Sequence, residues 1–286
     1  MIDDHLRRHD GVITLTQARR CGLSEDAVRR RVRTKSWRRC GRGVYFVDDR
    51  PFTPAARLRA AVWSYGPRAA ASGLAAAWWH GLVSKPPGIV EVTVPRNSRG
   101  RCHPGTRVRR RDLKPVDLIE RNGLLVTALP LTVIEAAVRP GGGPAVMDSA
   151  LQRCTDLPQL WRAHLDNKGR YGSPRARMLL RAADDGARSH AERLFIELVT
   201  RADITGWEAN VPVGGYLVDF LFRGKKLAVE IDGWAFHSDA ETFQRDRRRQ
   251  NQLALLDLQI LRFTWQDLVE RPEHVIAALR RALSAR

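Results

Sequence analysis

Residues 216–222, YLVDFLF, place one carboxylate, Asp219, in the middle of an otherwise apolar strand pattern. Residues 227–233, LAVEIDG, add two more, Glu230 and Asp232, two positions apart and therefore on one face of a strand. The intervening turn RGKK makes the two strands a hairpin. Runs of Leu, Val, Ile and Phe belong in a core, and carboxylates carried in with them are costly unless something compensates their charge. Two compensations are open. One is a divalent cation, Mg²⁺ (or Mn²⁺), which takes oxygen ligands, polarises a scissile phosphate and lowers the pKa of an attacking water. The other is pairing with arginines across the sheet.

The elements around this hairpin follow a helix, three strands, a helix, a strand and a helix. Ser189 is the expected N-cap of HAERLFIELVTRA, with Leu194, Phe195, Leu198 and Val199 as its apolar stripe. Glu192 on this helix can approach the three strand acids. WEANVPV reads as the first strand, a polar helix follows over about 240–256, and QILRFTW reads as the last strand. The final helix, ERPEHVIAALRRAL, has Pro272 in its first turn. On the polar helix, Arg245, Arg248 and Arg249 would lie near a substrate backbone, and Asp246 would pair with Arg249 or Arg262.

The charge of the chain is concentrated elsewhere. Of the formal net charge of +18 in 286 residues, residues 1–50 carry +6, residues 51–185 carry +11 and residues 186–286 only +1. A pI of about 11.0 favours a polyanionic partner, because cationic side chains release the counterions condensed on phosphates. Apolar runs are interrupted well short of the roughly 20 residues of a spanning helix. MIDDHLRRHD does not read as a signal peptide. Cys21, Cys40, Cys102 and Cys154 are widely spaced with no CxxC pair. The expected setting is a reducing cytoplasm with no membrane involvement.

Residues 29–47 contain no acid but hold Arg29, Arg30, Arg31, Arg33, Lys35, Arg38, Arg39 and Arg42. Residues 3–9 form a short amphipathic helix, Thr16 is the expected cap of TQARRCG, and Gly22 ends that helix. Ser24 caps SEDAVRRRVRT, where Val28 and Val32 face the core and Arg29, Arg30, Arg31 and Arg33 face outward. WRRCGRGVYFV reads as two strands around Gly41–Gly43. Helix–turn–helix followed by a hairpin is the winged-helix layout. It would lay the third helix in a DNA major groove and carry Arg38, Arg39 and Arg42 on the wing to the backbone. A solvated basic face in a protein-binding domain is the competing reading.

Residues 55–82 are read as a helical pair and 89–94 as a strand alternating Ile89, Glu91 and Thr93 with Val90, Val92 and Val94. RNSRGRCHPGTRVRRR is a basic loop leading into a strand; it either extends a DNA footprint or is solvated surface. PGGGP, 140–144, precedes two further helices. Trp78, Trp79 and Trp161 are assigned to the core, and His80, His103 and His164 to structural roles.

The stretch GVITLTQARRCGLSEDAVRRRVRTKSWRRCGRGVYFV resembles the N-terminal domain of the AbiEi-type antitoxin family, and the likeness continues to residue 185 through ARLRAAVWSYGPRAAASGLAAAWWHGL and GTRVRRRDLKPVDLIERNGLLVTALPLTVIEAAV. Many members carry an SH pair where this chain has Ser72 and Gly73. The resemblance implies binding of double-stranded DNA, autorepression and a cognate toxin as partner. SHAERLF, YLVDFLF, LAVEIDGWAFH and QRDRRRQNQLALLDLQILRFTW, about residues 188–285, resemble a bacterial family related to very-short-patch-repair (Vsr) endonucleases, of the restriction-endonuclease-like PD-(D/E)xK fold. By position the likeness makes Asp219 the principal metal ligand, Glu230 the second acid, Glu192 the helix acid and His237 the histidine near the scissile phosphate. Asp232 stands where the broader pattern has Lys, so His237 becomes the expected general acid or base.

The chain is therefore expected to be a multidomain α+β and α/β protein. Residues 1–50 would form a winged helix, 51–185 a middle α+β domain, and 186–286 a restriction-endonuclease-like α/β domain. Its expected function is DNA binding with Mg²⁺-dependent endonuclease activity; the alternative is a non-enzymatic regulator or antitoxin with a degenerate nuclease fold.

Overall fold

A computed structural model describes residues 2–99, 102–232 and 255–285, apart from the side chains at 187, 188 and 232. The chain divides into two compact units, Met1–Ala176 and Arg177–Arg286.

The first unit opens with α1 (Ile2–Arg8), β1 (Val12–Thr14), α2 (Leu15–Arg20), α3 (Glu25–Arg33), β2 (Trp37–Gly41) and β3 (Val44–Val47). The cap of α2 is Thr14, not Thr16. Its side chain accepts from the Gln17 N–H while the Gln17 side chain accepts from the Thr14 N–H, a capping box that starts the helix two residues early. Gly22 follows α2 at φ +87°, and Ser24 caps α3 by accepting from the Ala27 N–H, both as expected. The strands order as β1-β3-β2, all antiparallel, with β1 unforeseen. Leu6, Ile13, Ala18, Val28 and Trp37 form the core beneath α3.

α4 (Pro54–Trp63) and α5 (Gly73–His80) are the expected helical pair. Between them lies a two-residue strand, β4 (Ala70–Ala71), at the centre of a five-stranded mixed sheet of order β6-β5-β4-β8-β7. The other strands are β5 (Val90–Val94), β6 (Thr106–Arg110), β7 (Leu118–Arg121) and β8 (Leu124–Thr127), followed by α6 (Leu129–Ala137), α7 (Pro144–Arg153) and α8 (Leu157–Asp166). Every residue of β5 is buried, so Glu91 and Thr93 do not face water. Arg139 pairs with Glu91 at 2.7 Å, Arg109 reaches it at 3.4 Å, and Arg111 pairs with Glu135 of α6. Half of the basic strand thus turns inward, leaving Arg107 and Arg110 the more open.

Gly73 has φ +55°, and an added Cβ would lie 2.0 Å from the Glu91 carboxylate. The buried charge cluster occupies the room that any side chain at position 73 would need. Arg59 is 1% exposed; it donates to Asp10, Asn122 and Gly123 and sits between the rings of Trp63 and Trp79. This clamp ties the loop after α1 to α4 and the β7–β8 turn. Trp78 and Trp79 pack against the core as expected.

α9 (Ser173–Arg201) is one continuous helix of 29 residues, so Ser189 lies within it and caps nothing. Gly186 is the only breaker on the way, and a single glycine costs only about 1 kcal/mol relative to alanine in an otherwise strong helix-forming run. Four strands follow: β9 (Glu208–Val213), β10 (Tyr216–Phe222), β11 (Leu227–Asp232) and β12 (Gln259–Thr264). Their order is β12-β11-β10-β9, antiparallel except for the parallel β11–β12 pair. The chain continues through α10 (Trp265–Glu270) and α11 (Pro272–Ser284), with Pro272 in the first turn as expected. Nearly all of the polar helix expected over 240–256 lies outside the described residues.

Candidate functional site

The β10–β11 register pairs Phe220 with Val229; one step further brings Asp219 opposite Glu230. Phe220, Phe222, Val229 and Ile231 join Ala191, Phe195 and Val199 of α9 in one core. The two acids occupy the alternate strand positions, and so the other face. Both are buried, Asp219 at 2% and Glu230 at 4% exposure. The Ile231 N–H donates to Asp219 Oδ2 at 2.8 Å, and Arg262 Nη2 pairs with Glu230 Oε2 at 2.9 Å. Arg262 is the parallel-register neighbour of Glu230. Of the two compensations open to these acids, arginine pairing is therefore present at Glu230, and Asp219 also accepts from the backbone.

Asp232 ends β11 in register with Thr264, two positions beyond Glu230; its side chain is outside the described set. Glu192 is half-buried on α9, next to the fully buried Ala191, and is engaged in an interaction of its own. His237, with Arg245, Asp246, Arg248 and Arg249, lies outside the described residues. Lys226 pairs with Asp257 at 2.9 Å at the turn end of the hairpin, consistent with a place away from the acids. Among the described residues no three or more His, Cys, Asp or Glu side chains converge as a metal site. The donor chemistry still suits a hard cation: Asp219 and Glu230 are buried oxygen donors fixed on neighbouring strands.

The residue that sequence reading missed as the Glu230 partner is Arg262. The signal was available in QILRFTW, where Arg262 interrupts an apolar strand as the acids do on β10 and β11. Only the parallel register says which acid it meets.

In the first unit, Arg29, Arg30 and Arg33 are exposed on α3, and Arg38, Arg39 and Arg42 on the wing. Arg29 is partly neutralised by Glu25 at 2.9 Å. Arg31 departs from the expected outward orientation. It donates to the Ala27 carbonyl and lies over the Trp37 ring at 5.6 Å, bracing α3 against β2. Arg38 is held against the rings of Phe46 and Phe52 and faces Asp48 at 3.6 Å. Arg39 donates to the Gly41 carbonyl at 3.2 Å, and Arg30, Arg33 and Arg42 are the arginines with no such tie among the contacts observed.

Two family models match the chain. Residues 1–47 match the one described as a transcriptional regulator, AbiEi antitoxin, and residues 192–283 match the REase_MTES_1575 family. The chain thus joins an AbiEi antitoxin-type regulator domain to a restriction-endonuclease-like α/β domain, a fold that generally uses divalent metal ions. Among solved structures, the catalytic domain of the homing endonuclease I-Bth0305I is 24% identical over 33% of this chain and 94% of its own, with a TM-score of 0.29. The Rv2827c protein of Mycobacterium tuberculosis is 19% identical over 63% of this chain and 75% of its own, with a TM-score of 0.43. No curated protein matches the sequence. No described helix is long and apolar enough to cross a membrane.

Proposed function

We propose that this protein binds double-stranded DNA through its winged helix and hydrolyses phosphodiester bonds at Asp219 and Glu230 in the presence of Mg²⁺ or Mn²⁺. The observation that carries the reading is two carboxylates, 2% and 4% exposed, on adjacent strands of a restriction-endonuclease-like domain. Acids buried in an apolar sheet are costly unless their charge is compensated, and a divalent cation would compensate it here. Asp219, Glu230 and Asp232 would hold the cation, which when bound would polarise the phosphate and lower the pKa of an attacking water. The Ile231 N–H fixes one oxygen of Asp219, so that carboxylate is oriented before substrate arrives. Arg262 holds Glu230 in place through the 2.9 Å ion pair. His237 acts as general acid or base and Glu192 supports the site from α9. Arg30, Arg33 and Arg42 contact DNA phosphates and base edges, with Arg29, Arg38 and Arg39 beside them, and Arg31 holds the helix that presents them. The protein works in the cytoplasm, and a cognate toxin is a further partner.

The second reading is a non-enzymatic regulator or antitoxin of an AbiE-like toxin–antitoxin system. The Glu230–Arg262 pair favours it, since a sheet that has lost its metal would neutralise its acid in this way. Supercoiled plasmid incubated with Mg²⁺ or Mn²⁺, beside an Asp219→Ala variant and a chelator control, separates the two. Nicking or linearisation by the parent alone supports the nuclease. Retarded but intact plasmid in every lane supports the regulator, and equal cleavage by Asp219→Ala overturns the assigned site.

A further inference from the structure

A cleft of about 870 Å³ opens between the winged helix and the five-stranded sheet of the first unit, within the size range of ligand sites. Four arginines from four separate segments line it: Arg20 at the end of α2, Arg42 at the wing turn, Arg99 after β5 and Arg110 at the end of β6. Among the described residues that line it, Glu120 is the one carboxylate that stands against them. Such a balance, drawn from elements far apart in sequence, concentrates positive potential in a concave space.

Its wall is also aromatic and rigid. Tyr65 Oη shares a hydrogen bond with Thr106 Oγ1 and accepts from the His103 N–H at 2.8 Å. The His103 ring lies 4.9 Å from that of Tyr65, and both residues line the cleft. Rings fixed beside guanidinium groups are what unpaired nucleotides need, since bases stack on the rings while phosphates meet the arginines. A duplex presents its bases already stacked and would use only the charge.

We infer that this cleft receives one or two unpaired nucleotides, so that the preferred ligand of the first unit is a duplex carrying a single-stranded tail. The placement of Arg42 supports this, because the wing proposed to touch duplex DNA also forms one lip of the cleft. The inference rests on the DNA-binding reading of α3 given above. A free nucleotide offers the same chemistry as a strand end, and competition distinguishes them.

The test is fluorescence anisotropy with the full chain, comparing a blunt duplex with the same duplex bearing a four-nucleotide tail. The parent should bind the tailed duplex about tenfold more tightly, a margin set by stacking and added phosphate contacts. The Arg20→Ala/Arg110→Ala and His103→Ala variants should each lose most of that margin while keeping blunt-duplex affinity. The Arg30→Ala/Arg33→Ala variant should weaken both ligands and keep the margin. Competition by millimolar deoxyadenylate supports a pocket that also takes free nucleotides, and competition by the tail sequence alone supports strand ends. Equal affinity of the parent for blunt and tailed duplex overturns the inference, as does a margin that survives the cleft variants. Inorganic phosphate or a poly-glutamate peptide competing as well as the oligonucleotide also overturns it, because the cleft would then read charge only. Failure of the α3 variant to weaken blunt-duplex binding overturns the DNA-binding reading of α3 instead.

Discussion

Replacing Arg262 by Met tests the site at its most informative bond. Glu230 is 4% exposed and its observed cationic partner is Arg262 at 2.9 Å. Removing one member of a buried pair strands the other charge and costs about 3–5 kcal/mol. The Arg262 side chain is 32% exposed, so water already screens part of the attraction and the expected loss is about 2–3 kcal/mol. For a unit the size of Arg177–Arg286, each kcal/mol moves the unfolding midpoint by about 4 °C, which puts the drop at about 8–12 °C. Differential scanning calorimetry would read it. Arg262→Met/Glu230→Gln should recover most of the loss, because no stranded charge remains. If Glu230 is also a metal ligand, Mg²⁺ should stabilise Arg262→Met more than the parent, where arginine and cation compete for one carboxylate. Saturation at about 100 times the dissociation constant returns about 2.7 kcal/mol, close to the whole deficit. A midpoint within about 2 °C of the parent would refute the energetic argument. Equal stabilisation of parent and variant by Mg²⁺ would refute the shared carboxylate.

Arg30→Ala/Arg33→Ala should weaken duplex binding and lower its salt slope by about 2, as two phosphate contacts are lost, with an unchanged melting curve. Arg31→Ala should instead lower the thermal midpoint, because its cation–π contact with Trp37 and its bond to the Ala27 carbonyl brace the fold. Stability should also fall with acid. Burial and the neighbouring His9 push His5 down to about 4, and burial lowers His9, their rings being 4.1 Å apart. The unfolded chain therefore binds protons first, so stability is complete above about pH 6.5 and declines as pH falls towards 4. A urea midpoint that is flat from pH 7 to pH 4.5 in the parent, or as steep in His5→Gln/His9→Gln, would disprove this.

Much of the architecture was legible in local patterns. Ser24 followed by an apolar–basic period of 3.6 marked α3, and the apolar runs around Asp219 and Glu230 marked β10 and β11, because caps and strand alternation act over a few residues. Failures arose where local signals were weak or tied. Thr14 and Thr16 both suit a helix cap, and only Gln17, three residues after Thr14, breaks the tie. Ser189, three residues after Gly186, reads like a helix start, yet the strong helix formers on both sides carry α9 straight through.

The sequence alone settled which acids would be costly to bury and which helix carries the cations, since both follow from residue type and spacing. Only the tertiary structure decided what those charges meet. A two-residue strand such as Ala70–Ala71 has no period to read, and becomes central because β5 and β8 flank it. The inward turn of Arg109 and Arg111 depends on Glu91 and Glu135 arriving from other elements. Arg262 reaches Glu230 through a parallel register between segments 32 residues apart. Ion pairing is set by distances in space, and a chain does not encode those locally.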